Sequence, residues 1–217
     1  MEPGAELQIA RLGIELLRPV PFAPLSLSTR IVRPGRRVQE LAAEITSGDQ
    51  LICRASALRV TPVPDSAGEA GGGSATMPGP EQGSDVRFAL NGADVDSFAA
   101  SAMQMRAVSD PRAPGPAQVW MRLRIPLLGD RRASALANLA ACADFGNGVS
   151  AVLPFERFLF INADLTIHLE RQPRGEWVGL DARTILRRGG TGMAESVLHD
   201  ESGALGRAFQ TLVVAPR

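Results

Sequence analysis

Residues 134–148 read SALANLAACADFGNG, and they hold the clearest helix signal in the chain. Ser134 is an N-cap candidate, Leu136, Leu139, Ala140 and Ala143 recur at helical spacing, and Gly146 and Gly148 supply the expected stop. No charge falls between Ala135 and Ala143. A helix that apolar is enclosed on several sides rather than laid on a surface.

On either side of this helix the sequence reads as strands. Downstream and upstream of it, Met103 to Val108, Val119 to Leu127, Phe158 to Leu169, Trp177 to Leu186, Met193 to Leu198 and Arg207 to Val214 are short apolar runs. Further upstream, Leu7 to Leu17, Leu25 to Val32, Val38 to Ile45 and Leu51 to Val60 are rich in Leu, Ile and Val. Pro19, Pro21, Pro24, Pro34, Gly35 and Gly48 punctuate these, as in an antiparallel sheet with tight turns. A second, short helix is expected over Asp94 to Met103. Between Pro62 and Ser84 the run PVPDSAGEAGGGSATMPGPEQGS has no periodic apolar pattern and reads as a flexible linker. The expected organisation is a first unit over 1–61, a linker over 62–84 and a second unit over 85–217.

The two units repeat one another. Laid without gaps on Ala182 to Val214, Ser28 to Val60 pairs Ile31 with Ile185, Gly35 with Gly189 and Leu58 with Leu212, and ARLGIELLRPVP from Ala10 matches ADLTIHLERQP from Ala163. The second unit carries a helix and leading strands ahead of ADLTIHLER that the first lacks. The first unit is therefore expected to be incomplete, through a truncated start or a gap filled by a partner chain, and self-association into a homo-oligomer is expected.

Composition narrows the function classes. Of 217 residues 23 are basic and 23 acidic, which leaves no cationic excess for nucleic acid or a membrane surface. The hydrophobic fraction of 45% is enough for a core. No run approaches the roughly 20 apolar residues of a membrane span. With no secretory signal in the opening residues and only Cys53 and Cys142, a cytoplasmic location without a disulfide scaffold is expected. There is no G-x-S-x-G elbow, no Walker loop and no metal-spaced His/Cys/Asp cluster, so neither a metal nor a cofactor is expected.

A twisted antiparallel sheet wrapped around one apolar helix is the hot-dog fold, and the fold class expected here is α+β, a double hot-dog with an incomplete first unit. The motifs WMRLRIPLL at Trp120, ACADFGNG at Ala141, FINADLTIHLER at Phe160, GEWVGLDART at Gly175 and GRAFQTLVV at Gly206 resemble, in order, the bacterial acyl-CoA thioesterase II (TesB-like) family. LLRPVPFAPL and IVRPGRRVQ extend the likeness into the first half. The resemblance implies hydrolysis of fatty acyl-CoA by a water held between three polar side chains, with no covalent intermediate. The family's Asp falls on Asp144, its Thr-or-Asn position on Asn162 and its Gln on Gln210, with Asn here in place of Thr.

Taken without the family, these residues leave alternatives open. Asp144 sits at the C-terminal end of the helix, where the dipole disfavours a carboxylate; it is either a solvated turn residue or a base whose partial burial raises its pKa toward neutrality. Gln210 shares a strand face with Ala208, Leu212 and Val214, and a buried amide is costly unless networked, whereas on an edge strand it faces solvent. Asn162 is open to the same two readings. Their counterparts in the first unit are Ile9 and Ser56, so chemistry is expected only in the second. His168 and His199 read as structural or solvated; a hot-dog hydratase would want His five residues after Asp144, where Val149 stands. Cys142, two residues from Asp144, is the one rival nucleophile. A non-catalytic acyl-CoA-binding or assembly module is the alternative to hydrolysis.

Overall fold

The structure, a computed structural model, describes residues 6–68, 70, 76–87, 97–110 and 113–217. Its first four strands are β1 (Gln8–Leu16), β2 (Ser26–Arg33), β3 (Val38–Ser47) and β4 (Gln50–Val60). After β5 (Ser84–Val86) come a short helix α1 (Phe98–Ala102), β6 (Met103–Ala107) and β7 (Ala117–Leu123). Helices α2 (Ala135–Ala143) and α3 (Gly146–Val149) follow, then β8 (Phe158–Asn162), β9 (Asp164–Leu169), β10 (Val178–Leu186), β11 (Gly192–Asp200) and β12 (Gly203–Pro216). The 12 strands among the described residues join one antiparallel sheet in the order β2-β3-β4-β1-β9-β12-β11-β10-β7-β6-β5, with β8 also paired to β12.

The strand order makes the sequence repeat visible. From the centre outward, β1, β4, β3, β2 on one side mirror β9, β12, β11, β10 on the other. At the centre, Leu12 pairs with Ile167 and Ile14 with Leu165 around Gly13 and Thr166, as an approximate two-fold axis requires. The register also corrects the gapless alignment by one residue. Ile14 pairs with Ala55 and Ile167 with Ala208, so Ala55 rather than Arg54 answers to Ala208, and Ala57 rather than Ser56 answers to Gln210. Bulges at Ile31/Arg33 and Ile45/Thr46 in one copy and at Leu198/His199 in the other displace the copies locally, which an ungapped comparison misses.

Helix α2 forms as expected. The Ser134 hydroxyl accepts from the Ala137 amide at 3.2 Å, and the helix packs against β7, β9 and β10 of the second half. Leu139, Cys142 and Ala143 are fully buried against Met121, Ile167, Leu180 and Leu198. Asn138 fixes the helix to its surroundings: Oδ1 accepts from the Leu123 amide at 2.9 Å and Nδ2 donates to the Glu176 carbonyl at 2.7 Å. The expected glycine stop differs in detail. Helix α2 ends at Asp144, whose backbone is still helical, and Gly146 opens a further short helical turn, α3.

Two other expectations shift. The strand foreseen over Phe158 to Leu169 breaks at Ala163 into β8 and β9. Short helix α1 starts at Phe98 under a Ser97 cap, while 94–96 of the expected span lie outside the described residues. Within the segment read as a linker, the described residues include 3₁₀ turns at Asp65–Ala67 and Pro80–Gln82. Its end lies against Trp120, whose indole N–H donates to the Pro78 carbonyl at 2.7 Å. No helix among the described residues is long and apolar enough to cross a membrane.

The first half has no helix among its described residues 6–60. The pairings put Leu12 and Ile14 of β1, Ala55 and Ala57 of β4, and Leu41 and Ala43 of β3 on the face that continues the helix-covered face of the second half. On the opposite face Arg54 reaches Glu15 at 3.3 Å and Glu44 at 3.7 Å, while Arg59 lies at a register of the inner face and donates to Gln39 Oε1 at 3.1 Å.

Candidate functional site

Asp144 closes helix α2, Asn162 ends β8 and Gln210 lies in β12, so the three candidate residues arrive from separate elements. A slip in register brings Asn162 to the right side of the sheet. Strand β9 pairs with β12 through Ala208 and Ile167, yet β8 pairs through Leu212 and Asn162, one residue out of step. The extra residue at Ala163 reverses which side chains of β8 face the core, so Asn162 joins Leu212 and Gln210 on the inner face. Asp164 stabilises the break: its Oδ1 accepts from the Thr211 amide at 2.7 Å, while the Ala163 amide donates to the Thr211 carbonyl at 2.9 Å.

There Asn162 Nδ2 donates to Asp144 Oδ1 at 2.7 Å. Gln210 is buried, donates from Nε2 to the Asp144 carbonyl at 2.9 Å and accepts at Oε1 from the Asn147 amide at 2.9 Å. The structure thus joins all three, but not as three groups open toward one water. Asn162 grips the carboxylate directly, while Gln210 binds the backbone on which that carboxylate is mounted.

Asp144 keeps solvent on one side, but protein crowds its carboxyl on the other, and that burial pushes its pKa above the ordinary carboxylate value against the lowering pull of the Asn162 and Gln210 amides. Burial raises the Cys53 thiol of β4, and the Glu15 and then the Asp144 carboxylates raise it further.

Other residues complete the site without having stood out in the sequence. Gly146 is one. A Cβ there would lie 2.8 Å from Gln210 Oε1 and 2.9 Å from Ser196 Oγ, so the DFGNG glycine permits close approach of α3 to β12 and β11 rather than ending a helix. Asn147 holds Gln210 through its backbone and reaches the Phe160 carbonyl at 3.4 Å. Ser150 bridges α3 to β10 through Thr184 Oγ1 at 2.8 Å. A glycine-rich turn directly after a candidate base was the available signal for close packing.

The competing groups are placed elsewhere. Cys142 is fully buried in the core, and burial pushes its thiol far above the range in which a thiolate forms. His168 is exposed on β9. His199 is buried at the end of β11 beside the Asp200–Arg171 pair, with Nε2 unpartnered. Trp120 is a core residue, and Trp177 stacks under Arg122 at 4.6 Å and Arg106 at 5.3 Å. A cleft of about 470 Å³ lined by Arg122, Arg124, Arg132 and Glu176 opens at the opposite end of α2 from Asp144. Among the described residues no cluster of His, Cys, Asp and Glu could hold a metal ion.

Solved structures share this architecture. The acyl-CoA thioesterase II TesB2 of Mycobacterium marinum superposes with a TM-score of 0.69 at 19% identity, covering 97% of this chain and 81% of its own. A hot-dog protein of unknown function from Alicyclobacillus acidocaldarius gives 0.73 at 17% identity, over 100% of this chain and 81% of that one. The tesB protein of Mycobacterium avium subs paratuberculosis gives 0.68 at 13% identity, over 99% and 81%. At these identities the likeness establishes the hot-dog fold. No curated protein matches the sequence. The sequence models are more telling, because the acyl-CoA thioesterase N-terminal domain matches residues 2–60 and the C-terminal domain matches residues 72–214. Matched in order by both halves of that family, the chain belongs to the acyl-CoA thioesterases.

Proposed function

We propose that the chain hydrolyses fatty acyl-CoA to free fatty acid and CoA, with Asp144 as general base toward the attacking water. The observation that carries this reading is the 2.7 Å hydrogen bond from Asn162 to a carboxyl whose basicity burial has raised. Ionised Asp144 takes a proton from water as the water oxygen bonds to the thioester carbon. The carbon–sulfur bond then breaks, and CoA leaves as a thiolate. Such a leaving group needs little protonation, so one base with orienting amides suffices. Asn162 fixes the carboxylate, leaving its second oxygen for the water, and Gln210 fixes the helix end that carries it.

A covalent route through Cys142 has no support from its surroundings, since a fully buried thiol cannot meet a substrate without local unfolding. Free-thiol release from acyl-CoA substrates of graded chain length tests the activity. The expected result is turnover that Cys142→Ala leaves within a few-fold of wild type. Absence of release across the series would return the chain to a binding or assembly role, and loss of release in a folded Cys142→Ala would overturn the water mechanism.

A further inference from the structure

One inserted residue decides whether Asn162 meets the Asp144 carboxylate. Strand β9 runs along β12 with Ile167 opposite Ala208 and Thr166 opposite Phe209. Continued without a break, that register would set Ala163 opposite Leu212 and Asn162 opposite Val213, which alternation turns to the outer face and which is 51% exposed. Strand β8 instead sets Asn162 opposite buried Leu212, so Ala163 and Asp164 together face Thr211. An unbroken ladder already satisfies the main chain of two antiparallel strands, so the break needs hydrogen bonds of its own.

Three such bonds stand among the described residues. The Ala163 amide donates to the Thr211 carbonyl at 2.9 Å, and the Ala163 carbonyl accepts from the Leu16 amide of β1 at 2.9 Å. Asp164 Oδ1 accepts from the Thr211 amide at 2.7 Å. The first two join main chain to main chain and ask for no particular side chain. The third needs an acceptor on a short side chain at position 164, where it takes the N–H that a ladder carbonyl would otherwise receive. Alternation from Leu165, which is buried in the core, turns the Asp164 side chain to the outer face, away from Asp144. Its main-chain carbonyl lies 3.5 Å from Asn162 Nδ2, the nitrogen that donates to Asp144 at 2.7 Å.

We propose that Asp164 is a positioning residue, whose carboxylate locks the one-residue slip and so holds Asn162 on the inner face against Asp144. It acts through Asn162 and touches no substrate. Its effect on rate rests on the proposed function; its hold on Asn162 does not.

The test compares Asp164→Ala, which removes the acceptor, with Asp164→Asn, which keeps one. Circular dichroism confirms that each variant is folded. Followed by NMR, the side-chain amide of Asn162 in wild type is expected to shift as Asp144 titrates, a response identified by its absence in Asp144→Asn. Asp164→Ala should lose this response, and Asp164→Asn should retain it. In thiol release, Asp164→Ala should lower kcat at least about tenfold with KM changed by less than about threefold, because a misplaced orienting group is felt in turnover more than in binding. Asp164→Asn should recover most of that loss. With Asn162→Ala already in place, Asp164→Ala should cost less than about twofold more. A carboxylate that merely supports the fold would lower the thermal midpoint and leave the amide response intact. Retention of that response in a folded Asp164→Ala, or an equal loss of kcat with and without Asn162, would overturn the proposal. Loss of the response in Asp164→Ala with no thiol release from any form would support the positioning of Asn162 and refute hydrolysis, so the two failures remain distinguishable.

Discussion

Gly146→Ala isolates the packing that holds the site together. In a helical turn, alanine is the better residue by about 0.8–1 kcal/mol, so local propensity alone predicts stabilisation. The structure predicts the opposite sign. The new Cβ would lie 2.8 Å from Gln210 Oε1 and 2.9 Å from Ser196 Oγ, both inside contact distance. Gln210 cannot swing aside freely, because its oxygen accepts from the Asn147 amide at 2.9 Å and its nitrogen donates to the Asp144 carbonyl at 2.9 Å. Overpacking costs about 1–3 kcal/mol, and displacing Gln210 leaves a buried Asn147 N–H unpaired for about another 1–3 kcal/mol. After subtracting the propensity gain, a net loss of about 1–5 kcal/mol is expected in urea unfolding at constant m-value. The double variant supplies the decisive comparison. With Gln210→Ala already in place the Cβ has room, so Gly146→Ala should then cost at least about 1 kcal/mol less than it does alone. A neutral or stabilising Gly146→Ala, or strict additivity with Gln210→Ala, would refute the argument that this glycine exists to admit Gln210.

Two further outcomes follow from the charges. The Asn162 amide favours the ionised form of Asp144, so Asn162→Ala should move the acid limb of the kcat/KM profile to higher pH, as well as lowering the plateau; an unmoved limb would remove Asn162 from contact with the base. Burial lowers the His199 pKa below 6.5, against the raising influence of Asp181 and Asp200 and with a small lowering contribution from Arg171. A depressed folded pKa means that stability is fully present above pH 6.5 and is lost as pH falls toward the folded value, so thermal midpoints measured across that window should fall less steeply in His199→Leu than in wild type. Asp200 acts in a different window: burial would raise it, but Arg171 and the Ser202 and Arg174 amides hold it below 3.8, so its contribution is lost only under stronger acid.

What could be read from the chain before its structure follows from periodicity. Short runs rich in Leu, Ile and Val, set off by prolines and glycines, marked the strands, and the uncharged Ala135–Ala143 run with its helical spacing marked the buried helix, because both signals extend over many residues. Single-residue events escaped. The bulge at Ala163 adds one residue to an otherwise continuous apolar run, yet it decides which face Asn162 occupies. The identity of Gln210's counterpart also depended on one residue of register and changed from Ser56 to Ala57. Gly146 read as punctuation because glycine after a helix usually is, whereas its reason is a contact with strands more than 40 residues away in sequence. The candidate residues themselves came through resemblance to a family; Asp144 at a helix C-terminus has no explanation in helix stability, which is why it stood out beside that resemblance.

If Asp144 activates water against an acyl-CoA thioester, the pH dependence of thiol release separates wild type from Asp144→Asn. The substitution keeps the size of the side chain and can keep a hydrogen bond to Asn162 by amide rotation, but it cannot accept the water proton. Wild type should show an acid limb above the ordinary carboxylate value of 3.8, because burial raises this carboxyl. Asp144→Asn should be slower by at least about a hundredfold, the usual range for losing a positioned base, and should lack that limb. An Asp144→Asn protein that is folded and releases CoA at the wild-type rate, with the same pH profile, would contradict the account.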